Sequence, residues 1–444
     1  MINMHSQRHT LTCIIPAITS TIFSTFISAA STQPSRLRLQ TLTDVQVQYL
    51  YENDNGRYNS WYNGGPLSMR YGSDENTLQL SQIGLAGRFR SSDNSELHAT
   101  VIYYGGKSAE ATITEAWWHY QPIPSSPWRQ SLKIGAFYAP ISEENTGPLW
   151  SSPYSLNSST INTWVGEEMR TIGAEWRWDW SGKYTQSAWD TALLGAIYGF
   201  NDTAGTMISW RGWGSHDRQS GAGTKIAMSN MPSLQWPFSK QTPYYEPFIE
   251  TDNRPGYYLG AEAKYQFNHT ATGTSRLKFS YLYYDNRADP ESLKQGQYGW
   301  HTRFHHLGGK WKFSQRWDLL AQYLQGNTGM GPNMRGVKND FWSGYLMASK
   351  RWRKHRMSLR WDRFEVTDKD GNSFDNNKEH GYSAMASYGY NLAQGLKLSA
   401  TYTYWSSERP ERHYITDEYG QSGQALVETT QLLLSLRYYF DSAR

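Results

Sequence analysis

The sequence predicts an all-β protein, a transmembrane antiparallel β-barrel of sixteen to eighteen strands, with eighteen favoured. Segments of about ten residues in which apolar and polar positions alternate recur along the whole chain, as tilted membrane strands require. Aromatic residues are abundant, with 20 Trp and 32 Tyr, and many of them occupy the apolar positions. The mean hydropathy is nonetheless polar, −0.71. This mixture is typical of strands that turn one face to lipid and the other to water.

The first part of the chain, residues 1–30, has the pattern of a secretory signal peptide. Residues 11–30 are apolar or small, and Ser28-Ala29-Ala30 provides the small residues of a cleavage site. An N-terminal membrane anchor is the alternative. Residues 31–444 would then form one barrel domain without cysteine, because Cys13 is the single cysteine. The charge is near balance, with Lys+Arg 43 against Asp+Glu 39, so no nucleic-acid partner is expected.

Eighteen segments are candidate strands. In 172–180, Trp176, Trp178 and Trp180 share a face opposite Glu175 and Arg177. Three tryptophans facing water would be costly in a soluble protein. In chain order the candidates are 42–51, 79–90, 96–105, 109–119, 130–139, 172–180, 188–200, 205–213, 224–236, 257–267, 276–284, 300–313, 316–326, 340–352, 353–365, 380–391, 396–404 and 429–440.

The last candidate strand, 429–440, has an apolar face that ends in an aromatic residue. Its apolar face comprises Leu432, Leu434, Leu436, Tyr438 and Phe440. Region 205–255 has the weakest pattern. Two strands there, 205–213 and 224–236, preserve the alternation of short and long connections. Reading one of them as a loop and reassigning a neighbouring segment gives sixteen strands.

The connections between candidate strands alternate between short and long. Short periplasmic turns and long extracellular loops are how outer-membrane barrels are built. The short ones include 91–95, 181–187, 268–273, 314–315, 353–354 and 391–395, and the long ones include 52–77, 140–167, 286–299, 327–339, 366–379 and 408–428.

The loop 140–167 is the candidate constriction of the pore. It contains carboxylates and aromatic residues and no Lys or Arg. A loop that folds inward would place its carboxylates opposite basic wall residues and create a transverse field. The alternative is a loop that lies over the mouth of the barrel. The candidate constriction residues are Glu143, Glu144, Trp150, Tyr154, Trp164, Glu167 and Glu168.

The inward faces of the predicted strands carry charges of both signs. Charge that faces lipid is expensive, so charged residues opposite the aromatic face must lie in water. The candidate pore-wall residues are Lys133, Glu175, Arg177, Asp179, Glu262, Lys264, Lys278, Arg360 and Asp362. A plainer interpretation is that these are paired, solvated charges without a selective role.

No motif of catalysis, metal binding or cofactor binding is complete in this sequence. Asp368, Asp370, Asn372 and Glu379 have the spacing of a calcium loop, but Ser373 stands where such a loop needs glycine. Neither a G-x-S-x-G nor an H-E-x-x-H element is present. We therefore expect neither catalytic residues nor a metal nor a cofactor.

The signal peptide, the hairpin pattern and the closing strand with Phe440 resemble those of Gram-negative outer-membrane porins. One strand and the long loop after it resemble the phosphate-selective porin family more specifically. The strand reads Lys133-Ile134-Gly135-Ala136-Phe137-Tyr138-Ala139-Pro140. The resemblance implies a homotrimeric passive channel for small hydrophilic solutes, embedded in outer-membrane lipid and lipopolysaccharide. Phosphate selectivity is not implied, because the loop lacks basic residues. The chain also continues past Phe440, where porins usually stop.

Three other functions are compatible with the sequence. A sugar channel could use Trp150, Tyr154 and Trp164 to stack on sugar rings. An outer-membrane enzyme that modifies lipid and a secreted glycan-binding β-protein belong to different classes. A lipid-hydrolysis assay would separate the enzyme from a channel, and membrane fractionation would separate the secreted protein from one.

Overall fold

The computed structural model of the chain describes residues 36–52, 58–267, 275–416 and 422–443. The predicted signal peptide, residues 1–30, and the predicted turn 268–273 lie outside the described residues. Among the helices that are described, none has the length and apolar character needed to cross a membrane.

Within the described residues, sixteen antiparallel strands form one closed barrel. They are β1 (Leu37–Glu52), β2 (Leu78–Ser92), β3 (Ser95–Tyr104), β4 (Glu110–Tyr120), β5 (Trp128–Tyr138), β6 (Arg170–Ser181), β7 (Trp189–Gly199), β8 (Gly256–Gln266), β9 (Arg276–Asp285), β10 (His301–Lys312), β11 (Trp317–Met330), β12 (Val337–Trp352), β13 (His355–Asp368), β14 (Glu379–Ala393), β15 (Leu396–Glu408) and β16 (Leu426–Asp441). Each strand pairs with its neighbour in the chain, and β1 pairs with β16 to close the barrel, with Val45 opposite Leu436.

Short helices and two small hairpins lie between the barrel strands. The helices are α1 (Thr160–Glu168), α2 (Thr206–Trp210) and α3 (Pro232–Gln235), with 3₁₀ turns at Trp61–Asn63, Pro148–Trp150, Gly182–Thr185, Pro332–Met334 and Pro410–Tyr414. The hairpins pair Ile226–Ala227 with Tyr244–Tyr245 and Leu293–Lys294 with Gln297–Tyr298.

The favoured count of eighteen strands is wrong, and both extra strands lie between β7 and β8. Segment 205–213 contains α2, whose five residues are all buried. Segment 224–236 contributes only the two-residue strand Ile226–Ala227 and then α3, which begins at Pro232. Proline has no N–H to donate to a ladder and suits the first position of a helix, so this segment does not continue as a barrel strand.

The two faces of the strands differ as the alternation predicts. In β6, Trp176 and Trp178 point outward and are 43% and 42% exposed. The preceding residue, Glu175, points inward and is 6% exposed. The same holds in β16, where Leu434, Leu436 and Tyr438 are exposed. The outer surface is thus apolar and aromatic, which suits contact with hydrocarbon.

The connections at the two ends of the barrel differ in length. We call the end with short connections the turn end; its described connections include 93–94, 121–127, 182–188, 313–316, 353–354 and 394–395. The opposite end is the loop end, with connections 105–109, 139–169, 200–255, 286–300, 331–336 and 369–378, besides the partly described 53–77 and 409–425.

The largest hydrophobic cluster lies inside the barrel rather than on its outside. Trp164 of α1 packs with Trp213 and with the inward side chains Phe304 of β10 and Phe341 of β12. All four rings are at most 1% exposed. The long loops therefore supply a core to the loop-end half of the lumen.

Candidate functional site

The loop 139–169 contacts inward-facing residues on several strands of the barrel. The backbone N–H of Leu156 donates to Thr401 Oγ1 on β15 at 3.2 Å. Asn157 Nδ2 donates to Gln431 Oε1 on β16 at 2.8 Å. The backbone N–H of Thr160 donates to Asp362 Oδ1 on β13 at 3.2 Å. These wall residues all face the lumen, so this loop lies within the barrel.

Glu143 is held by the wall on the β9 side. Its Oε1 atom lies 2.8 Å from Lys278 Nζ and accepts a hydrogen bond from Ser280 Oγ at 2.9 Å. Its backbone oxygen accepts from Lys310 Nζ at 3.2 Å. The side chain of Glu143 is only 2% exposed. Its charge is therefore neutralised inside the protein rather than presented to water.

Glu144 belongs to a buried ion-pair group with Arg360 and Asp362. Arg360 lies 2.8 Å from Asp362 and 3.3 Å from Glu144, and all three side chains are fully buried. Glu144 also accepts from the backbone N–H of Ser159 at 2.6 Å and from Asn162 Nδ2 at 3.0 Å. A buried guanidinium between two carboxylates fixes the start of α1 against the wall.

Gln322 on β11 is a contact point that sequence reasoning missed. Its Oε1 atom accepts from the backbone N–H of Glu143, from Asn162 Nδ2 and from the Tyr345 hydroxyl, at 2.7 to 3.0 Å. Its Nε2 atom donates to the backbone oxygen of Ile141 at 3.0 Å. One uncharged side chain thus binds both the start of the loop, at Ile141 and Glu143, and α1, at Asn162. An inward glutamine on a strand carries no charge signal, which is why the pattern did not identify it.

The three aromatic candidates of the loop are packed. Trp150 stacks on Tyr138 with ring centroids 4.3 Å apart. Tyr154 lies below Arg356, whose guanidinium is 4.8 Å from the ring, and Lys310, which is 5.4 Å away. Trp164 is enclosed by other aromatic rings and donates to Glu168. Among these, Tyr154 alone lies between cations of the wall.

Glu167 and Glu168, the last residues of α1, have opposite electrostatic environments. Glu167 contacts Arg211 and lies 3.0 Å from His216 Nε2, and the Tyr62 hydroxyl donates to it at 2.6 Å. Burial alone would raise the pKa of Glu167, but Arg211 and His216 outweigh it and lower this pKa to about 2.

Glu168 accepts hydrogen bonds from the backbone N–H groups of Met207 and Gly205 at 3.0 and 3.1 Å and from Trp164. No cation of the described residues lies within ion-pair distance of it. Burial raises the pKa of Glu168 to about 7, although these hydrogen bonds lower it in part.

The segment 200–255 also enters the barrel from the loop end, which sequence reasoning missed by assigning strands to it. The backbone N–H of Gln219 donates to the Tyr104 hydroxyl at 3.0 Å. Asn339 Nδ2 donates to Ser209 Oγ at 3.0 Å. The backbone N–H of Trp213 donates to Glu379 at 2.8 Å.

The loop-end half of the lumen is consequently filled. The inward side chains nearest that end are buried around the circumference, namely Gln48, Tyr104, Tyr198, Tyr258, Tyr284, Thr302, Thr328, Asn339, Val366, Glu379, Ser407 and Thr429. As far as the described residues show, the barrel is therefore closed at its loop end.

Five of the predicted wall charges form a connected network on β6, β8 and β9. Arg177 bonds to Glu262 at 2.8 Å and to Asp179 at 3.0 Å. Glu262 also lies 3.5 Å from both Lys264 and Lys278. Because Lys278 contacts Glu143 as well, this network joins the wall to the loop.

Lys133 and Glu175 form a separate pair beside that network. Lys133 Nζ lies 3.1 Å from Glu175 Oε1, and the Tyr258 hydroxyl donates to Glu175 Oε2 at 2.6 Å. The structure thus brings Glu143 together with the wall charges of β6, β8 and β9, whereas it places Glu144 with Arg360 and Asp362 of β13.

Water reaches the wall mainly towards the turn end. The side chain of Lys264 is 49% exposed and that of Lys278 is 24% exposed, in contrast to the fully buried Arg360. A cavity of about 360 Å³ opens beside these lysines. The accessible part of the lumen is thus a charged vestibule at the turn end.

Comparisons with known proteins concern the fold alone. The chain is similar to the anion-selective porin of Comamonas acidovorans, with a TM-score of 0.47, 10% identity, and coverage of 91% of this chain and 99% of that one. It is similar to the outer membrane channel DcaP of Acinetobacter baumannii, with a TM-score of 0.47, 11% identity, and coverage of 91% and 97%. OprB of Pseudomonas putida has a TM-score of 0.47, 12% identity, and coverage of 91% and 94%. No protein-family model and no curated protein matches the sequence, and the specific likeness to phosphate-selective porins receives no support.

Proposed function

We propose that this chain is an outer-membrane channel of a Gram-negative bacterium for passive diffusion of small hydrophilic solutes or ions. The observation that supports this most directly is the combination of an apolar outer face with a charged, water-accessible vestibule inside one closed barrel. Charged side chains are expensive in lipid, and a vestibule that water reaches accommodates them inside the barrel.

In this proposal the loop 139–169 is the constriction element. Its fastening to the wall through Lys278, Gln322 and Arg360 supports that role. The candidate residues Glu143 and Glu144 act there as tethers to cations, so they contribute little free negative charge to the path. Passage of solute past the loop end requires part of 139–169 or 200–255 to move, because the inward side chains there are buried.

The assembly is a homotrimer in outer-membrane lipid in this proposal, with the turn end towards the periplasm. Short periplasmic turns are the usual arrangement in barrels of this kind. The solute is hydrophilic, since the vestibule wall is built from charged side chains.

Planar-bilayer recording of the refolded protein tests the proposal. We expect discrete, non-rectified or weakly rectified conductance steps that are absent from heat-unfolded protein at the same concentration. Absence of conductance in the wild type and in variants with a released loop, although heat-modifiable electrophoretic migration shows folded barrels, would overturn it.

A further inference from the structure

The turn-end vestibule contains lysines that face each other directly across neighbouring strands. Lys264 on β8 is opposite Lys278 on β9, and Lys278 is opposite Lys310 on β10. The next inward-facing pair towards the turn end is Arg276 on β9 and Lys312 on β10, which are also directly opposite. We call these five residues the basic rows. Side chains that are directly opposite in an antiparallel pair have Cβ atoms about 5 Å apart.

Such an arrangement opposes folding. Like charges directly opposite in a sheet are destabilising, and three adjacent strands repeat the same sign here. A barrel wall of the same polarity could alternate signs, as Lys133 and Glu175 do on β5 and β6. The basic rows therefore place positive charge where barrel stability does not call for it.

Acidic residues compensate only part of this charge. Lys278 contacts Glu143 at 2.8 Å and Glu262 at 3.5 Å, and Lys264 shares Glu262 at 3.5 Å. Glu262 is at the same time the partner of Arg177.

The other three cations of the basic rows are less compensated. Lys310 donates to a backbone oxygen, that of Glu143. Arg276 and Lys312 have no carboxylate within 4.0 Å in the part of the chain that the structure describes.

The acidic residues at the edges of the rows are otherwise engaged. Asp190 is opposite Lys264, but its Oδ1 atom accepts from the backbone N–H of Gly182 at 2.9 Å. Asp318 is opposite Lys312, but the cation nearest to it is Arg356, at 3.6 Å. Positive charge thus remains uncompensated on the wall.

These cations surround an open space. A cavity of about 360 Å³ is lined by all five residues of the basic rows together with Asp190. This volume holds a small oxyanion with its hydration water. Lysine ammonium and arginine guanidinium groups bind phosphate-like oxygens through short, charge-assisted hydrogen bonds.

We propose that the basic rows form a binding site for a small multivalent oxyanion at the turn end of the lumen. A ligand with two or more negative charges suits this site, because three cations that line the cavity, Arg276, Lys310 and Lys312, have no carboxylate within 4.0 Å among the described residues. The bound anion neutralises the repulsion between the rows. This inference deepens the proposed channel function and rests on it for its role in permeation, but the binding itself needs only the folded barrel.

Calorimetric titration of the folded protein in detergent with pyrophosphate tests the site without any conductance. We expect saturable binding at low ionic strength, which weakens as salt screens the charges. In the double variant Lys310→Gln/Lys312→Gln the affinity should fall by at least about tenfold, since charge-assisted hydrogen bonds are lost.

The matched control is Lys183→Gln/Lys354→Gln, which removes two lysines from turns at the same end but outside the cavity. Its affinity should equal that of the wild type. The thermal unfolding temperature of Lys310→Gln/Lys312→Gln should be unchanged or higher, because two like-charge pairs, Lys278–Lys310 and Arg276–Lys312, are relieved.

Two results would overturn the site: no saturable binding by the wild type at low salt, or equal weakening in the control variant. A lower unfolding temperature of the vestibule variant would also contradict it, since the rows would then serve stability. Binding without conductance would instead refute the proposed channel while leaving the site in place.

Discussion

At the scale of single residues, Glu168 is a carboxyl group of α1 whose ionisation the fold opposes. It is fully buried at the end of α1 and faces backbone N–H groups, Trp164 and Tyr245, while the nearby Arg211 is committed to Glu167. Its pKa is about 7 in the folded state and its ordinary value is 4.5. The folded state therefore keeps the proton to a higher pH than the unfolded chain does, and its stabilising effect is lost as pH rises through about 7.

We predict that raising the pH from 5 to 8 loosens the packing of residues 160–169, by up to about 3 kcal/mol of local stability. Hydrogen exchange measured by mass spectrometry, corrected for the intrinsic pH effect, should show faster exchange there at pH 8. Glu168→Gln should abolish the difference. Glu167→Gln should destabilise at both pH values, because it leaves Arg211 buried without its partner. An unchanged pH response in Glu168→Gln would contradict this prediction.

Trp176 tests the outward face of the strands. It lies in the middle of β6 and is 43% exposed. If it lies near the bilayer midplane, Trp176→Arg should reduce the free energy of unfolding by about 2–4 kcal/mol, and by less near an interface. Denaturant titration of the barrel in lipid vesicles measures this. Tyr184→Arg, in a turn at the barrel end, is the control and should cost little; equal losses in both variants would argue against lipid contact at Trp176.

At the scale of elements, the loop 139–169 is held by contacts with distant strands. The contact between Leu156 and Thr401 allows this placement to be tested, because the backbone N–H of Leu156 donates to the Thr401 side chain. We predict that cysteines at Leu156→Cys and Thr401→Cys form a disulfide on mild oxidation, seen as a mobility shift that reductant reverses. The control Leu156→Cys/Tyr402→Cys places the second thiol on the outward face and should not cross-link. Cross-linking in the control only would place the loop outside the lumen.

The same loop allows a test of its tethers. Lys278 and Gln322 together hold Glu143 and Asn162. We predict that Lys278→Met/Gln322→Ala increases the conductance or the frequency of opening, because the loop loses its fastening on one wall. Single-channel recording measures this, and Lys350→Met, on the outward side of β12, is the control. Reduced or unchanged opening in the tether variant would mean that other contacts hold the loop.

At the scale of the whole molecule, the proposed orientation in the membrane rests on the placement of the short turns at one end of the barrel. We predict that a cysteine at Gly371, in the connection 369–378, reacts with an impermeant maleimide on intact cells, whereas a cysteine at Lys354, in the turn 353–354, reacts only after the outer membrane is permeabilised. The two positions lie at opposite ends of β13. Labelling of Lys354→Cys but not Gly371→Cys on intact cells would reverse the proposed orientation.

The sequence by itself determined the barrel class and the face of each strand. Both depend on alternation with a period of two, which is a local property of residues such as Trp176 and Arg177. It did not determine the strand count, because the alternation of short and long connections is equally regular with two more strands between β7 and β8, where Pro232 instead begins a helix.

The tertiary structure alone decided what Glu143, Glu144, Glu167 and Glu168 do. These similar carboxylates have four different roles: Glu143 is tied to the wall, Glu144 belongs to a buried ion-pair group, Glu167 pairs with Arg211, and Glu168 accepts hydrogen bonds without an ion pair among the described residues. Their partners lie dozens to hundreds of residues away in the chain. Long-range packing selects among such partners, and no local pattern encodes it. For the same reason the basic rows became visible only when the register of β8, β9 and β10 placed lysine opposite lysine.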